Sequence, residues 1–218
     1  MLALYHVPLD LLSARRWTRH LAFFEPLPAG EEPRCEPAPV PEWSAPPTDE
    51  LPVGVGAGGV LWRNPLIALS IRCIDVFSNG VDFRLGIDAR KDDHVEDDEW
   101  YDLLDRFTGS FRHSRRTANR SLRVGVTLPD GDKLTADFPR RLSPEEEGGR
   151  TLVLHGGGGG GSDVRQSRTY GAWLWPLPPR GDLTLHFICE ELGIPEGSAT
   201  FDGGELADAA TASTPIWD

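Results

Sequence analysis

Asp92, Asp93, His94, Glu96, Asp97, Asp98 and Glu99 follow one another almost without interruption. Carboxylates and an imidazole at this density are donors for a divalent cation, and Asp93, His94 and Asp97 form the nearest approach to a metal-ligand set. The spacing does not match the D-x-D-x-D-G pattern of a calcium loop. An acidic run ahead of a helix is also what the helix dipole favours, so a solvated loop entering a helix is the competing reading. A basic stretch comes directly after. Arg106, Arg112, Arg115, Arg116, Arg120 and Arg123 occur with no Asp or Glu between Arg106 and Pro129. Arg115 and Arg116, set among Ser114, Thr117 and Asn119, have no local carboxylate to claim them. They are the candidate contacts for an acidic protein docking on loop 106–123, unless the stretch only neutralises the preceding acids.

His155 followed by Gly156–Gly161 has the composition of the His-Gly-Gly oxyanion loops of esterases. Those loops require a G-x-S-x-G elbow in a parallel sheet, and the chain has no such elbow, so the glycine run is expected to be a flexible surface loop. Trp173 and Trp175, near Tyr170, point to one face and are candidates for stacking on a ligand or for core packing. No Ser/His/Asp, Cys/His or paired-carboxylate arrangement assembles from local spacing, and no cofactor is implied. A hydrolase or metal-dependent enzyme would need His94, Asp97 and His155 to converge in one pocket.

The elements that must position these residues are mostly strands. Ile67, Leu69, Ile71 and Cys73 alternate with polar residues. After Ser78-Asn79-Gly80, the residues Val81, Phe83, Leu85, Ile87 and Ala89 alternate with Asp82, Arg84, Asp88 and Arg90. A period of two predicts half-buried strands, and Asn-Gly between them predicts a hairpin because both turn residues tolerate positive φ. Leu85 is then core, and Arg84, on the polar face, matters little to stability. Leu122–Leu128 and Leu134–Phe138 predict a second hairpin across Pro129-Asp130-Gly131-Asp132. Trp173–Leu177 and Leu183–Cys189 predict a third across Pro178-Pro179-Arg180-Gly181. Helices are predicted over Val95–Phe107, with Trp100, Leu103, Leu104 and Phe107 on one face, and after Asp202, where Leu206, Ala209, Ala210 and Ser213 align. Asp202 and Glu205 have the spacing of a capping box.

Nine prolines between Pro26 and Pro52 make residues 1–52 an irregular, partly disordered extension in which Trp43 is the one docking residue. The expected architecture is therefore all-β, an antiparallel β-sandwich over residues 53–218 with one or two short helices and a Pro-rich N-terminal extension. Thirty-four acidic against 22 basic residues give a net charge of −12. That balance argues against a nucleic-acid or anionic-membrane partner. No apolar run reaches the length of a membrane span. Cys35, Cys73 and Cys189 are odd in number and far apart, and Cys73 and Cys189 lie on apolar strand phases. They predict buried free thiols in a reducing cytoplasm.

Trp173-Leu174-Trp175-Pro176-Leu177-Pro178-Pro179-Arg180-Gly181-Asp182-Leu183, preceded by a glycine run and followed by Gly193-Ile194 and an Ala-rich end, resembles the C-terminal part of a family of uncharacterised actinobacterial proteins. The resemblance covers roughly residues 60–213 and implies kinship without an activity. A non-enzymatic binding or accessory module is the function these observations favour, with the enzyme centred on His94 and His155 as the alternative.

Overall fold

The computed structural model describes residues 40–56, 58–109, 122–137 and 149–217. In chain order the elements are β1 (Glu50–Leu51), β2 (Val53–Val55), β3 (Gly59–Arg63), β4 (Ile67–Val76), β5 (Val81–Arg90), helix α1 (Asp97–Gly109), β6 (Arg123–Thr127), β7 (Lys133–Asp137), β8 (Thr151–Ser162), β9 (Arg165–Trp175), β10 (Asp182–Cys189), β11 (Ile194–Asp202), helix α2 (Gly203–Ala210) and β12 (Thr214–Pro215). A six-stranded sheet has the order β2-β4-β5-β9-β8, with β3 also on β4, and a four-stranded sheet has the order β11-β10-β6-β7. Every pairing is antiparallel. The fold is all-β and sandwich-like, as the alternations require.

One core lies between the inner faces. Leu69, Phe83, Leu85 and Ala172 of the larger sheet join Val124, Val126, Leu183 and Leu185 of the smaller in a single buried cluster. Phe83 and Phe201 meet across it with ring centroids 5.8 Å apart. Helix α1 adds Trp100, Leu103 and Phe107 to the same core, and Leu206 and Ala210 of α2 also join it. The Asp202 side chain caps α2 by accepting from the Gly204 N–H at 2.7 Å. Both predicted helices therefore form with their apolar faces inward, although α2 ends at Ala210, short of Ser213.

Several expectations change. Strict alternation in β4 breaks between Ile71 and Cys73, where the pairing with β5 slips. This irregularity moves Ile74 and Val76 into the core and turns Cys73 outward to a half-buried position. The signal was Ile74 and Val76 falling one residue out of phase with Ile67, Leu69 and Ile71. The Asn79-Gly80 turn uses no positive φ. Gly80 is required by close approach instead: a Cβ there would lie 2.3 Å from the Trp173 ring and 2.7 Å from the Leu174 carbonyl. Gly156–Gly161 is strand, not loop, because β8 continues against Arg165–Tyr170 of β9, with one irregularity between Gly156 and Gly159. Ladder pairing outweighs the poor strand propensity of glycine here. The third hairpin does not form, since β9 belongs to the larger sheet and β10 to the smaller.

Among the described residues, those from Glu42 onward already contact the sheets, ahead of the boundary expected at residue 53. Residues 40–51 form an arm. β1 pairs with β12, and the Glu50 carboxylate accepts from Ser78 N at 2.6 Å and Ser78 Oγ at 2.8 Å. Burial alone would raise the Glu50 pKa, but hydrogen bonds from Ser213 and Ser78 outweigh it and hold it below the ordinary value of 4.5. A depressed folded-state pKa stabilises above the unfolded value and is lost as the pH falls through the folded one. Glu50→Gln is therefore expected to cost about 1 kcal/mol at neutral pH. The difference in melting temperature from the parent should shrink below the ordinary glutamate value of 4.5. A gap that stays constant down to strong acid would show that the charge on Glu50 contributes nothing.

Candidate functional site

The outer face of the six-stranded sheet carries the polar residues that alternate with the core. Register defines its rows. Asp75, Asp82 and Trp173 lie side by side on β4, β5 and β9, and Trp173 neighbours Val153 on β8. The next row is Cys73, Arg84, Gly171 and His155, and further along come Ala68, Asp88, Ser167 and Gly160. Two groups stand out, one at each end.

At the arm end, Asp82 is completely buried. Its Oδ1 lies 3.1 Å from His155 Nε2. Arg84 Nε lies 3.0 Å from Asp82 Oδ2 but directs its N–H to Asp75 Oδ2 at 3.1 Å. Oδ2 of Asp82 is therefore held by charge rather than by a hydrogen bond. The His155 ring reaches Asp82 by lying across Gly171, where a Cβ would come within 2.1 Å of the imidazole. Gly171 thus makes the pair possible. His155 and Arg84 keep 32% and 40% of their side chains exposed, so a buried anion supports two accessible cationic or hydrogen-bonding groups.

Breaking this group is costly even though Arg84 is on the polar face. Removing one partner of a buried ion pair leaves the other uncompensated, which costs about 3–5 kcal/mol when both are buried. The exposure of Arg84 lowers that to roughly 2–3 kcal/mol. Arg84→Ala is expected to lose this amount in a urea titration, with Arg84→Lys recovering part of it. A loss within the roughly 0.5 kcal/mol typical of surface changes would show that Asp82 is stabilised without Arg84.

At the opposite end, a cleft of about 530 Å³ opens over Ala68, Asp88 and Ser167, with Arg63, Arg90 and Arg165 among its lining residues. Arg72 reaches into this region, donating from one nitrogen to both Asp88 oxygens at 2.9 Å and to Ser167 Oγ at 3.1 Å.

The sequence-predicted residues fall as follows. Arg115 and Arg116 lie outside the described residues. His94 follows β5, whose last residue, Arg90, pairs with Arg165, whereas His155 lies level with Arg84. About six residues of strand, roughly 20 Å, separate these levels, so His94 and His155 do not share a pocket. Asp97 is engaged by Lys91, and the His94 amide N–H donates to Asp92 Oδ1 at 3.1 Å in a local turn. Among the described residues no group of three or more His, Cys, Asp or Glu side chains is arranged to hold a metal ion. Trp173 is fully buried, edge-on to Phe77 at 5.7 Å, with its indole N–H donating to the Glu42 carbonyl at 3.0 Å. Its stacking surface is taken by the protein itself, and Trp175 packs beside it, half-buried.

Neither described cysteine is an activated nucleophile. Burial pushes the Cys189 thiol up to about 11. Burial first, and then the Asp75 charge, raise Cys73. Alternation pointed to Asp82 and Arg84 as a same-face pair, but nothing local marked His155 as their partner. No helix among the described residues is long and apolar enough to cross a membrane. No family model, curated protein or solved structure matches the chain.

Proposed function

We propose that the protein is a non-enzymatic binding module that uses the outer face of the six-stranded sheet. The observation that carries this reading is the cleft of about 530 Å³ on that face. Its volume falls in the range of about 300–1,000 Å³ typical of small-molecule sites. Its walls come from β3, β4, β5, β8 and β9 and from the short β3–β4 turn at Asn64–Leu66, so ladder pairing preorganises most of the site. Cys73 and Cys189 are thiols rather than half of a disulfide, which suits a reducing compartment and supports the cytoplasm as the place of action.

A thermal-shift screen of the full chain against sugars, nucleotides, peptides and organic acids tests the reading. At least one class is expected to raise the melting temperature in a concentration-dependent way. NMR of the same mixture should show the ligand chemically unchanged. A screen in which no class shifts the melt would remove the reading. Turnover of the bound compound would replace it with an enzyme. Among the described residues, the buried Asp82 against half-exposed His155 is the arrangement that favours that second reading, and His155→Gln would then abolish turnover.

A further inference from the structure

We infer that the outer-face cleft binds a small molecule whose head group carries at least two negative charges on oxygen, as a phosphoryl or polycarboxylate group does. This inference rests on the reading of the outer face as a binding face and names what it takes.

Arg90 and Arg165 are direct cross-strand partners on β5 and β9. Like charges placed opposite each other destabilise a sheet, and an anion between or above the pair would relieve the repulsion. Arg63 lies on the same face, next to Ala68 in the adjoining row, and all three arginines line the cleft. Asp88, the carboxylate among the lining residues, is taken by Arg72. No ion pair forms between Arg63, Arg90 or Arg165 and any carboxylate among the described residues. Arg90 is oriented by donating from Nε to the Pro65 carbonyl at 3.2 Å, which leaves the outer edge of its guanidinium unused.

This concentration of positive charge occurs in a chain of net charge −12, where acids could easily have supplied partners. A single carboxylate would leave most of it unmatched. Guanidinium forks match the oxygen spacing of phosphate and carboxylate groups, which sets the class of head group. Val60, 58% exposed, and Pro65 also line the cleft and supply an apolar wall for the rest of the ligand.

Isothermal titration of the full chain with pyrophosphate and with citrate, each against NaCl of equal ionic strength, tests the inference and separates the phosphoryl source from the carboxylate one. At least one probe is expected to bind beyond the salt control. Arg90→Gln and Arg165→Gln should each weaken it tenfold or more. Arg180→Gln, which breaks only the pair with Asp208, should leave it unchanged. Without ligand, Arg165→Gln should melt no lower than the parent, because the like-charge opposition is gone, so loss of binding is not loss of folding. Heat no greater than that of NaCl, or affinity untouched by both cleft variants, would overturn the inference. If another ligand class still raises the melting temperature in that case, the binding-module reading stands and only the anion assignment falls. If no class does, both fall.

Discussion

Leu85→Ala is expected to lower the unfolding free energy by about 2–5 kcal/mol, read as a lower urea midpoint at an unchanged slope. Leu85 is fully buried at the centre of β5, between Ile71 on β4 and Tyr170 on β9. Both neighbouring strands are fixed by their own ladders, and the smaller sheet closes over the inner face. The cavity left by the lost side chain therefore has little freedom to collapse, and the cost belongs in the upper part of that range. A loss below about 1 kcal/mol, as for a modest surface change, would mean that the inner face of β5 does not meet the smaller sheet.

Trp173→Ala is expected to cost about 3–5 kcal/mol, although Trp173 is not in the sandwich core. It packs with Phe77, Val153 and Trp175 on the outer face. The arm closes this cluster: Trp173 Nε1 donates to the Glu42 carbonyl, and Thr151 Oγ1 donates to the Trp43 carbonyl at 3.2 Å. A chain starting at Val53 would open the cluster to water and leave the indole N–H without its acceptor. Such a chain is expected to melt lower than the full chain, contrary to what proline content alone suggests for residues 1–52. In the shortened chain the Trp173→Ala loss should be smaller, because residues that share a partner are not additive. Equal losses in both backgrounds, or an unchanged melt on truncation, would show that the arm only lies alongside.

The strand character of β4, β5, β6, β7 and β10, the two helices and their buried faces, and the partition of Leu85 inward and Arg84 outward were determined by residue order alone. Period-two and period-3.6 patterns are local, and burial of one face is the dominant energy, so the pattern suffices. The same locality explains the errors. The glycine run has no side chains to show a phase, and only its pairing with Arg165–Tyr170 makes it strand. Trp173–Leu177 and Leu183–Cys189 look like two arms of a hairpin, yet each finds better partners in a different sheet.

The functional groups were decided by tertiary structure. Asp82 is in the polar phase of β5 and reads as solvated, but Trp173 of β9 and His155 of β8, both distant in sequence, enclose it together with Arg84 of its own strand. Arg63, Arg90 and Arg165 are unremarkable singly and become a cationic seat only when β3, β5 and β9 align. Sheet register is a long-range property: a side chain's face follows from its neighbours in sequence, whereas its company on that face follows from which strands pair and in what step.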